Sequence, residues 1–219
     1  MLPSVLYADD YLLVVDKPAG VPVLPDGWTP DAPYLVKMLE ADFGKLWVAH
    51  RLDKVTSGVM VFARNAEAHR TLNTQFERHE ARKVYHALVN GAPRWDEHTA
   101  RHPLRVNVGH KHRTVVDHSK GKPSETRFAV IKRYAGFGLV ECTPMSGRTH
   151  QIRVHLAALG HPLVGDILYG APPTTLIDRP ALHALRLTLM HPATGEVVTF
   201  SAPYPADFEQ ALHQLESCH

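Results

Sequence analysis

The chain has 219 residues, 44% hydrophobic and 21% charged, enough for one well-filled core and typical of a globular protein rather than a disordered or fibrous one. Its formal net charge is only +2, too small to identify a nucleic-acid partner by itself. No apolar run approaches the ~20 residues that span a bilayer, Met1-Leu2-Pro3-Ser4 lacks a secretory pattern, and Cys142 and Cys218 make neither a disulfide framework nor a metal-binding pair. Cytoplasmic residence and free thiols are expected.

Along the chain, Leu12-Leu13-Val14-Val15 reads as a strand that Lys17-Pro18-Ala19-Gly20-Val21-Pro22 ends in a turn. A helix is expected over 33–43, with Leu35 and Leu39 four apart on one face. Val59-Met60-Val61-Phe62-Ala63 reads as a buried strand. Asn65 is placed to cap a helix carrying Ala68, Leu72 and Phe76, which runs out near Glu80. Alternation over Lys83 to Val89 puts Tyr85, Ala87 and Val89 on one strand face. Further strands are expected at Thr126 to Arg133 and Phe137 to Thr143, and as a hairpin of Ala184 to Met190 with Glu196 to Ser201 across Ala193-Thr194-Gly195. Thr149 to Leu159 reads as a helix with Ile152, Leu156 and Leu159 on a stripe and Gly160 as terminator, and a last helix lies near Asp207 to Glu216. The pattern is α+β: one domain over residues 1–219, built on a large, mainly antiparallel mixed sheet with flanking helices.

Charge is unevenly placed. From Arg101 to Lys122 the six basic residues Arg101, Arg105, Lys111, Arg113, Lys120 and Lys122 face one acidic residue, Asp117, a local excess of five. The rest of the chain is therefore at about −3. This segment reads as a basic loop on a mildly acidic body.

Three separated blocks stand out: His50-Arg51-Leu52-Asp53-Lys54-Val55-Thr56-Ser57-Gly58, Lys83-Val84-Tyr85-His86-Ala87-Leu88-Val89-Asn90-Gly91, and Gly147-Arg148-Thr149-His150-Gln151-Ile152-Arg153-Val154-His155. In order and spacing they resemble the RluA-type pseudouridine synthases. Lesser similarities lie at Asp16-Lys17-Pro18-Ala19-Gly20, at Gly160-His161-Pro162-Leu163-Val164-Gly165-Asp166 and at His191-Pro192, so the resemblance covers almost the whole chain. It implies an RNA-modifying isomerase with a central RNA-binding cleft and no separate N-terminal RNA-binding domain. The partner would be ribosomal or transfer RNA, met by a monomer.

The reaction so implied breaks the N1–C1′ bond of uridine, turns the uracil, and joins C5 to C1′. No redox change occurs, no water is consumed, and no cofactor or metal is required. A carboxylate must act at the sugar, by attacking C1′ or by removing the C2′ proton, in a site kept dry. Asp53 fits that role within its block, whereas an isolated loop aspartate is usually a turn residue. A carboxylate so desolvated needs a cation to stay ionised. The resemblance makes that cation Arg153, with Arg148 as competitor or as a phosphate ligand. Tyr85 offers a ring to stack on uracil and a phenol toward the C5 proton. Arg51 suits the stack vacated by a flipped nucleotide, or a phosphate. Arg105, Lys111 and Arg113 are candidate RNA contacts in the basic loop.

Two other chemistries compete with this one. A metal hydrolase could recruit His110, His112, His150, His155 or His161 beside Asp53 or Asp166, but His150 and His155 are five apart and do not share a helical face as an i, i+4 zinc pair does. A nucleoside hydrolase or glycosidase ordinarily needs two carboxylates, and only Asp53 lies in a block of catalytic character. A third reading, an RNA-binding protein without activity, gives no reason for Asp53, Tyr85 and Arg153 to occur together.

Overall fold

A computed structural model describes residues 3–25, 32–109 and 113–217. In chain order its elements are β1 (Ser4–Ala8), β2 (Leu12–Lys17), α1 (Leu35–Phe43), β3 (Trp47–Val48), β4 (Ser57–Ala63), α2 (Ala66–Glu77), β5 (Arg82–Asn90), β6 (Glu97–Ala100), β7 (Leu104–Val108), β8 (Arg113–Val116), β9 (Thr126–Tyr134), β10 (Phe137–Pro144), α3 (Gln151–Ala158), a 3₁₀ turn (Ile167–Tyr169), β11 (Leu182–Met190), β12 (Val197–Ser201) and α4 (Ala206–Ser217). The class is α+β, with a large, mostly antiparallel sheet and four helices among the described residues. The chain divides into two compact units, residues 1–83 with 184–205, and residues 84–183 with 206–219.

In the first unit β2 is the backbone of the packing. It pairs antiparallel with β1 on one side and with β4 on the other, running from Leu12 opposite Ala63 to Lys17 opposite Gly58. All seven residues of β4 are buried, which explains why this strand reads as a continuous apolar run instead of an alternation. Helix α2 starts as expected, with the Asn65 side chain accepting the Ala68 N–H at 2.9 Å. Its buried face adds Gln75 to Ala68 and Leu72. The Gln75 amide bonds both ways with the Met190 main chain, donating to its carbonyl and accepting from its N–H, each at 2.8 Å. A side chain here extends the hydrogen bonding of a strand end, and so a buried amide is satisfied.

Gly58 stands at the point where the Asp53 loop enters β4. Its φ is +117° and a Cβ added there would lie 2.2 Å from the Ala184 carbonyl oxygen, so the backbone approach of β4 to β11 excludes any side chain.

In the second unit β10 pairs antiparallel with β5 and with β9, and β9 pairs with β6. Ala87, Val89, Val140 and Cys142 form a buried layer against Ile152 and Leu156 of α3, with Tyr85 packed at its margin. The face expected for Tyr85, Ala87 and Val89 is therefore the one under the helix. Segment 101–122, read from sequence as a loop, instead contains a two-stranded ribbon of β7 and β8. Its strands are short, with one buried position each, and the ribbon is irregular between Arg105 and Val108. Helix α3 begins two residues later than expected, because His150 takes a left-handed φ of 55°, which no helical turn accepts. Past its end, His161 N–H bonds to Leu156 O at 2.9 Å across Gly160, the pattern of a glycine-terminated helix.

Candidate active site

Asp53 sits half-buried in the loop between β3 and β4, next to exposed Arg51 and buried Leu52. The loop is held by specific bonds rather than by regular pairing. Asp53 O accepts the Thr56 N–H at 3.0 Å, closing a turn onto buried Thr56 and Ser57. Lys54 O accepts from Gly20 N–H at 2.8 Å and from Lys17 Nζ at 3.2 Å. Lys17 Nζ also donates to Pro18 O and to Val21 O, each at 2.9 Å. With 0% of Lys17 exposed, a bare ammonium would be very costly, but three carbonyls match its three N–H donors. The Asp16-Lys17-Pro18-Ala19-Gly20 block thus braces the Asp53 loop.

His50 braces the same loop from its other end. Strand β3 stops with Val48 opposite Phe62, and the next free donor of β4, Val61 N–H, bonds to His50 Nε2 at 3.1 Å. The ring stacks on Phe76 with centroids 4.4 Å apart. Burial, assisted by the charge of Lys83, pushes the His50 pKa down to about 3. The ring stays neutral, as it must to accept from a main-chain N–H.

The third block builds a buried polar chain around α3. Gln151 uses its whole amide: Oε1 accepts from the Ser146 hydroxyl at 2.7 Å and from Arg148 N–H at 3.1 Å, and Nε2 donates to Glu125 O and Thr126 Oγ1, both at 2.9 Å. His155 continues the chain, with Nδ1 2.9 Å from Thr126 Oγ1 and Nε2 3.1 Å from His102 O. A carbonyl can only accept, so Nε2 carries the proton and the Thr126 hydroxyl donates to Nδ1. Burial lowers the His155 pKa and favours that neutral form. With both ring nitrogens of His155 committed, and Nδ1 of His161 3.1 Å from Asn90 O, these histidines serve the fold.

Arg153 is 5% exposed and clasps Asp166, which is 1% exposed: Nε donates to Oδ2 at 2.7 Å and Nη2 to Oδ1 at 2.8 Å. This is the fork-to-carboxylate geometry that suits arginine over lysine. Asp166 follows Gly165, whose φ is +77° and where a Cβ would meet Arg179 O at 2.3 Å. The turn that presents the carboxylate therefore requires glycine. The Arg153 guanidinium also lies 5.0 Å from the ring centroid of Tyr169, within cation–π range.

The remaining residues singled out from sequence fall in different surroundings. Arg148 is half-buried, and its Nε has no hydrogen-bond partner among the described residues. Arg105 Nε is 3.2 Å from Asp117 Oδ2, and Arg101 Nε is 2.9 Å from Glu125 Oε2. Arg113 is exposed on β8. Lys111, with His110 and His112, lies outside the described residues. Asp117, held well below the usual carboxylate range at about 2, accepts from Lys120 N–H, the Ser119 hydroxyl and Ser119 N–H. It therefore turns the chain as well as facing Arg105.

Comparison with known proteins gives these features a setting. The family model for RNA pseudouridylate synthase matches residues 11–158. The chain belongs to the RNA pseudouridylate synthase family. It is similar to the dual-specificity RNA pseudouridine synthase RluA of Escherichia coli, 38% identical over 93% of each chain. It is also similar to the ribosomal large subunit pseudouridine synthase D of Haemophilus ducreyi, 34% identical over 98% of this chain and 71% of that one. Among solved structures, human RNA pseudouridylate synthase domain containing 1 superposes with a TM-score of 0.78 at 31% identity, covering 99% of this chain and 94% of the other.

As an RNA pseudouridine synthase of the RluA type, the chain is an isomerase. Its three sequence blocks all lie inside the matched segment, whereas Asp166 and Tyr169 lie beyond it. The sequence offers Asp166 only as a conceivable metal ligand and does not single out Tyr169. A signal for the first is present, since Gly165-Asp166 closes a family-like stretch. Among the described residues, no helix is long and apolar enough to cross a membrane.

Proposed function

We propose that this synthase isomerises specific uridines of structured ribosomal or transfer RNA, with Asp53 as the catalytic carboxylate. The observation that carries the reading is the braced Asp53 loop: a half-buried carboxylate on a segment held by Lys17 and His50, within a chain that belongs to an RNA pseudouridine synthase family. Such bracing fixes a reacting group in place, which enzymes use to lower the entropic part of a barrier. Relatives named for the large ribosomal subunit make ribosomal RNA the substrate to test first, with transfer RNA, which the resemblance also implies, beside it.

In the proposed reaction Asp53 acts at the sugar of a flipped uridine, either attacking C1′ or taking the C2′ proton. The N1–C1′ bond breaks, the base turns, C5 bonds to C1′, the C5 proton departs and N1 gains a proton. Atoms balance without an oxidant, reductant or water. Tyr85 supplies the ring beneath the base and a phenol for the C5 proton. Arg153 supplies positive charge held in orientation by Asp166. Exposed Arg51 serves the vacated stack or a phosphate, and Arg148 a phosphate. Cytoplasmic residence and a monomeric state complete the reading.

Mapping pseudouridine across total RNA from cells with and without the protein tests this directly. Discrete uridines should be modified only when the wild-type protein is present, and an unchanged map would overturn the reading.

Arg105, Lys111 and Arg113 are proposed to contact phosphates. At about −0.7 per neutralised phosphate on single strands, replacing all three with glutamine should flatten the log–log salt slope of RNA binding by up to about 2. Filter binding at several salt concentrations measures this. An unaltered slope would route the RNA elsewhere, with the Asp117 ion pair then accounting for Arg105.

A further inference from the structure

The ribbon of β7 and β8 carries Arg105 and Arg113, yet two strands alone are marginally stable, so their orientation must come from what they dock against. At the root, Leu104 and Lys122 exchange main-chain bonds, each 2.9 Å, and Asp117 N–H donates to Pro103 O at 2.9 Å. Higher up the pairing is irregular between Arg105 and Val108, and Asn107 takes a φ of 57°.

Thr114 of β8 is 1% exposed, and its main-chain N–H donates to the Tyr169 phenol oxygen at 3.1 Å. This docking runs through the main-chain N–H of Thr114 and the phenol of Tyr169. That phenol is also 2.8 Å from His150 Nδ1, at the left-handed residue that starts α3. The ring of Tyr169 faces the guanidinium of Arg153, which is clamped by Asp166. One side chain thus touches the first turn of α3, the buried arginine, and the ribbon bearing the candidate RNA contacts.

We propose that Tyr169 is a positioning residue for RNA capture: its phenol sets the β7–β8 ribbon in the orientation at which Arg105 and Arg113 meet the RNA backbone, while its ring backs Arg153. The inference rests on the reading under Proposed function that these arginines contact RNA. Because the residue acts through the ribbon, removing only its hydroxyl should weaken capture of substrate and spare the chemical step.

Tyr169→Phe is the decisive variant, since it keeps the ring and strands the Thr114 N–H. Expected are a roughly tenfold rise in KM for a mixture of ribosomal and transfer RNA, about the worth of one hydrogen bond, with kcat within about twofold of wild type. Amide exchange at Thr114 should speed up by a similar factor. Tyr169→Leu, which also removes the ring facing Arg153, should lower kcat as well. Filter binding and amide exchange need no turnover and so test the inference even if the wild-type protein modifies none of the RNA supplied, a result that would count against the substrate reading alone. Faster Thr114 exchange with unchanged RNA binding would overturn the proposal, as would unchanged exchange, or a loss of kcat at unchanged KM in the phenylalanine variant.

Discussion

Asp53→Asn is expected to abolish pseudouridine formation, by at least roughly 10⁴-fold, the scale on which single essential groups act in other enzymes. The amide has the shape of the carboxylate but can neither attack C1′ nor take a proton from C2′. The fold should hardly notice. The amide is isosteric with the carboxylate, and two of the bonds that hold the loop, the Thr56 N–H to Asp53 O bond and the Lys17 ammonium on Lys54 O, do not involve the replaced atoms. RNA affinity and melting temperature should therefore stay close to wild type while turnover disappears. The assay is release of tritium from C5-labelled uridine in RNA, run beside a binding titration of the same variant. Retained turnover would remove Asp53 from the chemistry, and lost binding would make it a structural or recognition residue instead.

The second large effect concerns the Arg153–Asp166 pair. Removing one member of a buried, hydrogen-bonded ion pair leaves the other charge desolvated, at a cost of about 3–5 kcal/mol. Arg153→Ala and Asp166→Ala should each lose about that much. In a chain of this size the melting point should fall by roughly 6–20 °C, at about 2–4 °C per kcal/mol. The double variant should lose less than the sum, because neither charge is then stranded. Arg153→Lys should recover only part, as a point charge cannot reproduce the two parallel bonds at 2.7 and 2.8 Å. Activity should fall with Arg153→Ala beyond what unfolding explains if its charge serves the site. Calorimetry on the four proteins with rates measured below their melting points separates the two contributions. Unchanged melting in the single variants would mean that the pair is not the buried clamp described above.

Local signals carried much of the fold. Asn65 announces the start of α2 because an asparagine before a helical stripe has one good use, and its side chain does accept the Ala68 N–H. The hairpin turn read at Ala193-Thr194-Gly195 ends on a glycine with a φ of +71°, between the two strands it joins. Strand β1, the two-residue β3 and the β7–β8 ribbon escaped notice for the opposite reason. Most of their residues are exposed or half-exposed, so they lack the buried, alternating face that marks a strand in the sequence. The late start of α3 is not legible either, since nothing in the residues of 147–155 marks His150 as left-handed, and its ring meets Tyr169, nineteen positions on.

The sequence by itself determined the family. Three blocks in a given order carry the resemblance to the RluA-type pseudouridine synthases, and residue types within a block are legible because their spacing along the chain is a covalent fact. Only the tertiary structure decided what holds those residues. It clasps Arg153 to Asp166, seats the Lys17 ammonium among three carbonyls, and ties β8 to the Tyr169 phenol. The physical reason is that a buried charge or N–H must find a partner wherever the folded chain supplies one, and carbonyls, which every residue carries, leave no mark in the sequence to say which of them will serve.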